Sequence, residues 1–257
     1  MSEHTNASPT SQDEFYVGYL PVPNGHRKFI ALLVSTLLIW SLSLAIIITI
    51  TMRSPGEATW DTGEIQSWSG TLVESPYPML IPDNIDQSPP LFVVSMGKSG
   101  AHERLKPFFG QHVSVQGYEL NRDNRHIIEL APDQDAIKTD DTVPARSAPT
   151  ILTSTPVDLI GEIVDGKCYL GAMKPGDGTG HRACATLCIQ GGLPPMFATK
   201  SASGERTFYL LTIDGTTDYS PQMLALVGRP VRISGQLTDF TGTPVLQASS
   251  ADISRTR

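Results

Sequence analysis

Apolar positions along the chain change their period once. Phe29 to Met52 is a run of 24 residues without a charge, rich in Leu, Ile, Val and Ala. A bilayer core is spanned by roughly 20 such residues, so the run predicts a transmembrane helix. It is longer than the h-region of a cleaved signal, about 7 to 15 residues, and no small-x-small site stands out after it, so it reads as an uncleaved anchor. Beyond it the pattern becomes short alternating runs broken by glycine, the signature of strands joined by turns. These runs are Ser69–Val73, Leu91–Val94, Phe109–Gly117 and His126–Leu130, then Ile160–Val164, Phe208–Leu211, Val227–Gly235 and Val245–Ala248.

The second set of runs repeats the first. Phe109-Gly110-Gln111-His112-Val113-Ser114-Val115-Gln116-Gly117 aligns with Val227-Gly228-Arg229-Pro230-Val231-Arg232-Ile233-Ser234-Gly235 at an offset of 118 residues. The opening runs, Gly70-Thr71-Leu72-Val73 and Gly161-Glu162-Ile163-Val164, are offset by 91. The difference means that the second copy holds about a helix and a loop more than the first, between its opening and middle strands.

The opening strands, Gly70–Val73 and Gly161–Val164, and the repeated strand, Phe109–Gly117 and Val227–Gly235, resemble the OB-fold, a five-stranded Greek-key barrel. That likeness implies a mainly β protein: an N-terminal transmembrane helix, then two small OB-like β-barrel domains, the second with a Cys/His-bearing helical insertion. The expected layout is a tail at 1–28, the span at 29–52, a first domain at 60–131, a linker at 132–156 and a second domain at 157–254, with the insertion near 168–197. The linker reading rests on Pro, Ser, Thr and Asp with little apolar periodicity. In the tail, Tyr16 and Tyr19 read as interfacial anchors.

Charge refines this picture. His26, Arg27 and Lys28 precede the span and Arg53 alone follows closely, which predicts a cytoplasmic N-terminus and exported C-terminal domains. In a bacterium this means a single-pass protein of the inner membrane with periplasmic domains, in contact with membrane lipid. Residues 54–257 carry 16 Lys and Arg against 23 Asp and Glu. An acidic, exported barrel lacks the basic groove that a nucleic-acid strand needs, so no nucleic-acid partner is expected.

All three cysteines and one histidine fall in the insertion, as Cys168, His181, Cys184 and Cys188 in the spacing C-x12-H-x2-C-x3-C. Residues 181–190 are good helix formers that end at Gly191-Gly192, and the spacing puts His181, Cys184 and Cys188 on one helical face. Cys168 follows a strand and approaches from the barrel. Three chemistries fit: a Zn or Cu site on Cys3His, a disulfide from Cys168 to Cys184 or Cys188 that pins the helix, and reversible thiol redox. An odd number of cysteines leaves one thiol outside any single disulfide.

Other segments add less. Gly166 to Gly180 lacks the phosphate-loop pattern and reads as a flexible hairpin lid. Pro194, Pro195, Met196 and Phe197 read as the edge of the core, with partner docking as the alternative. Glu162 and Asp165 read as the solvated face of a strand, and His102, His112 and His126 as surface residues. No hydrolase, zincin or haem-attachment motif occurs, and no catalytic residue is assigned.

Two functions follow as expectations. One is an accessory or assembly protein of a membrane-bound, redox complex, docking through its barrels on membrane or exported partners. This architecture is similar to that of the haem chaperone of cytochrome c maturation, although the His-x-x-x-Tyr pattern of that family does not occur here. The other is a Zn- or Cu-binding or thiol-redox protein acting through Cys168, His181, Cys184 and Cys188.

Overall fold

A computed structural model describes residues 24–51, 58–84, 89–122, 125–146, 154–201 and 206–256. The chain divides into an N-terminal unit that ends at Ser54 and a unit from Pro55 to Arg257. In the first, helix α1 (Asn24–Thr51) is long and apolar enough to cross a membrane. Its Thr36 and Thr49 hydroxyls donate to Leu32 O and Ala45 O four residues back, so both are satisfied within the helix. Tyr16 and Tyr19 lie outside the described residues.

The second unit is mainly β. Its first half has strands β1 (Ala58–Val73), β2 (Met79–Pro82), β3 (Leu91–Val94), β4 (His112–Arg122), β5 (Arg125–Leu130) and β6 (Ile137–Thr139), with the short helix α2 (His102–Leu105) before β4. The sheet order is β1-β2-β3-β5-β4-β6, and β1 pairs back onto β4. Its second half has β7 (Ser154–Asp165), helix α3 (Arg182–Gln190), β8 (Pro195–Lys200), β9 (Arg206–Ile213), the short helix α4 (Pro221–Leu224), β10 (Pro230–Phe240) and β11 (Thr243–Arg255). Strands β10, β11, β9, β8 and β7 form a closed five-stranded barrel. In both halves one pair runs parallel, β3 with β5 and β9 with β11, and every other pair is antiparallel.

The repeated run occupies the same place in each half, β4 and β10. Gly110 and Gly228 precede these strands with φ of +78° and +67°, a conformation that a side chain strains. Within the strands, a Cβ on Gly117 or Gly235 would meet a neighbouring carbonyl oxygen at 2.2 or 2.4 Å. The repeat therefore records a turn and a close backbone approach used twice. The extra residues of the second copy lie between β7 and β8.

Three apolar clusters hold the unit together. Leu72, Val93, Leu105, Val113 and Ile128 fill the first half, and Ile163, Phe197, Leu211, Val231 and Leu246 fill the barrel. A third cluster joins Met79, Phe92 and Ile127 of the first half to Val164, Tyr169, Leu193 and Phe240 of the second. Burying apolar surface on both sides of a seam makes the halves support one another.

Several local expectations change. Within the stretch read as a linker, Ile137–Thr139 is a strand on β4, with Ala136 and Ile137 buried; residues 147–153 lie outside the described residues. His112 is buried rather than on the surface, because its Nε2 reaches Asp83 at 3.1 Å. Pro194, Pro195, Met196 and Phe197 are all buried, and the last three run along β8 into the core, so they offer no free docking surface.

Candidate functional site

Strand β7 ends at Asp165, and the chain turns sharply through Gly166 and Lys167 into one helical turn, Cys168–Ala172. Asp165 fixes that turn by accepting a hydrogen bond from Cys168 N–H at 2.8 Å on Oδ1, a side-chain cap of the first turn. Tyr169 and Leu170 then bury in the seam, so residues 166–170 are a packed turn rather than part of a flexible lid. Arg122 closes over the Tyr169 ring, its guanidinium carbon 5.1 Å from the ring centre.

Helix α3 supplies the other two sulfurs. Ala183, Ala185, Leu187 and Gln190 favour the helix, and its end is set by glycine: Gly192, at φ +89°, donates to Ile189 O, while Leu193 N–H reaches Cys188 O. This is a Schellman stop with Leu193 buried beneath it. Cys184 and Cys188 sit one turn apart, their sulfurs at 4.0 Å.

The two segments bring Cys168, Cys184 and Cys188 together, with all three sulfurs within 4.8 Å of one another. All three are free thiols; Cys168 and Cys188 are buried and Cys184 is half-buried. The Cys168 thiol is pushed well above the ordinary range, first because its S–H is held by Cys188 and then by burial and the Asp165 carboxylate. Cys188 is correspondingly lowered, chiefly by accepting that hydrogen bond. At the open side, Lys98 Nζ donates to Cys184 Sγ at 2.8 Å, and this contact raises the Lys98 pKa.

His181 does not join the three sulfurs as a set of four. It precedes α3, is 4 % exposed, and its Nε2 lies 3.1 Å from Asp165 Oδ2. Asp165, Cys168 and His181 form a second cluster that shares only Cys168 with the first. Asp165 is the site residue that the alternation of β7 misses. It reads as solvent-facing yet is fully buried, because the strand ends there and its two oxygens serve Cys168 and His181. Glu162 is half-buried instead of solvated; Gly178 N–H donates to it, and burial raises its pKa.

The site lies where the two β halves meet. Residues 95–101 of the first half carry Lys98 and press against the end of α3: Gly100 N–H donates to Gly191 O at 2.8 Å. Lys167, next to Cys168, donates to Ser95 O and Gly97 O and pairs with Glu129 at 3.2 Å, both side chains being buried. Tyr77 O–H reaches Gly192 O. Each of these contacts crosses the seam, and together they set the loop against the thiols.

Comparison with family models, with curated proteins and with solved structures finds no match to the chain.

Proposed function

We propose that this chain is a membrane-anchored accessory protein that holds one soft metal ion, zinc or copper, on Cys168, Cys184 and Cys188. The observation that carries this reading is the convergence of three free sulfurs from two separate segments within 4.8 Å. A metal bonded to three sulfurs at about 2.3 Å holds them roughly 4 Å apart. The 4.0 Å between Cys184 and Cys188 suits that spacing. Half-burial of Cys184 leaves a way in, and the Lys98 ammonium offsets part of the charge that three thiolates carry.

The wider setting belongs to the same proposal. Both halves follow one circuit of strand pairing, first strand to second, third, fifth, fourth and back to the first, and this supports reading them as two OB-like domains. The basic residues His26, Arg27 and Lys28 at the start of α1 support a cytoplasmic N-terminus and periplasmic β domains. Docking on a membrane or exported partner draws support from Met96, on the loop that carries Lys98, and Leu187, between Cys184 and Cys188. Both are large apolar side chains left exposed.

The test is metal analysis of the full chain purified in detergent under reducing conditions. One equivalent of zinc or copper per chain, lost in Cys168→Ser and Cys188→Ser, is expected. Metal-free protein with a disulfide between two of the three cysteines would overturn the reading.

A further inference from the structure

We infer that the ion is monovalent copper, held by three sulfurs in a plane, with His181 outside its coordination shell. This rests on the reading of the thiols as metal ligands and goes further by fixing the ion and its geometry. The first ground is the donor set. Zinc in a protein takes four ligands, whereas thiolates alone satisfy Cu(I). Three sulfurs converge here, and the histidine that would complete Cys3His is turned to Asp165, in a cluster that shares only Cys168 with them.

The second ground is what surrounds the sulfurs. Both oxygens of Asp165 are engaged, one with Cys168 N–H and one with His181, so the nearest carboxylate is committed to holding the frame. Val164, Leu170, Leu193 and Met196 pack in the same apolar cluster as Cys168 and Cys188. On that side such a wall offers a fourth ligand little hydrogen bonding. Charge balance with Lys98 alone would favour zinc, since three thiolates, one Zn(II) and one ammonium sum to zero. Coordination number outweighs that balance, because three sulfurs converge while Asp165 holds His181 away from them.

Asp165 and His181 then act as positioning residues. Asp165 holds the backbone of Cys168 toward the sulfurs of α3, and His181 holds Asp165. Their removal loosens the frame without removing a ligand.

The experiment is an anaerobic titration of the full chain in detergent with Cu(I), supplied as its acetonitrile complex, and separately with Co(II) as a spectroscopic stand-in for zinc. X-ray absorption is then recorded on the copper form. One Cu(I) per chain with a shell of three sulfurs is expected. His181→Gln should keep that shell and lose no more than about tenfold in affinity, the lower end for an outer partner, while Cys168→Ser loses more than about 100-fold. Nitrogen in the wild-type copper shell would overturn the inference, as would an intense tetrahedral Co(II)–thiolate spectrum that His181→Gln abolishes. The wild-type spectra decide the matter even where a variant fails to fold. Retention of neither metal would instead overturn the metal-binding function itself.

Discussion

Lys98 Nζ lies 2.8 Å from Cys184 Sγ, joining a loop of the first β half to a helix of the second. An ammonium at that distance stabilises negative charge as it builds on the sulfur. Lys98→Met should therefore slow alkylation of Cys184 by iodoacetamide by up to about tenfold, while Cys168, which is buried and makes no hydrogen bond to Lys98, changes less. Mass spectrometry of timed aliquots gives both rates. An unchanged Cys184 rate would show that the contact does not act on the thiol.

The buried pair of Lys167 and Glu129 ties the cysteine turn to β5. Removing one partner from a buried pair strands the other, which costs about 3 to 5 kcal/mol. Glu129→Gln should reduce unfolding stability by an amount of that order in a urea titration. The double variant Lys167→Met/Glu129→Leu should recover most of it, because no charge remains buried.

Glu162 gives a pH dependence of defined sign. Burial raises its folded-state pKa, so its contribution is fully present below the unfolded value, about 4.3, and is lost as pH rises through the folded value. Glutamine keeps an acceptor for Gly178 N–H and carries no charge. Glu162→Gln should thus be more stable than the natural chain at pH 7, with the gain disappearing below about pH 4. Thermal unfolding at the two pH values measures it; an equal gain at both would mean that ionisation is not its source.

The paired turn glycines separate conformational strain from packing. At Gly110 a methyl group would meet open space, whereas at Gly228 it would lie 2.7 Å from Cβ of Arg182 at the start of α3. Both substitutions to Ala pay the left-handed cost of about 1 to 2 kcal/mol. Gly228→Ala should cost more than Gly110→Ala and shift α3, which denaturant titration and thiol accessibility report together.

Much of this arrangement is legible in the residues. The uncharged run predicts α1, the repeat of residues 109–117 at 227–235 places β4 and β10, and the mismatch of offsets locates the insertion. The helix formers of residues 181–190 and the following glycines predict α3 and its end. What escapes is set by tertiary contact. Asp165 looks solvent-facing because alternation assumes that the strand continues, while the chain turns there and buries it. His181 shares a helical face with Cys184 and Cys188 in an ideal helix, but it precedes α3 and a buried carboxylate claims its ring. Lys98 is 86 residues from Cys184, and no local pattern connects them.

The central claim is that Cys168, Cys184 and Cys188 form one metal site, and counting thiols with and without metal tests it most directly. The reduced full chain in detergent should show three thiols reactive to Ellman's reagent after denaturation, and one equivalent of Cu(I) should protect all three together in the folded chain. Protection of fewer than three, or a reduced chain that takes up no metal, would contradict the account.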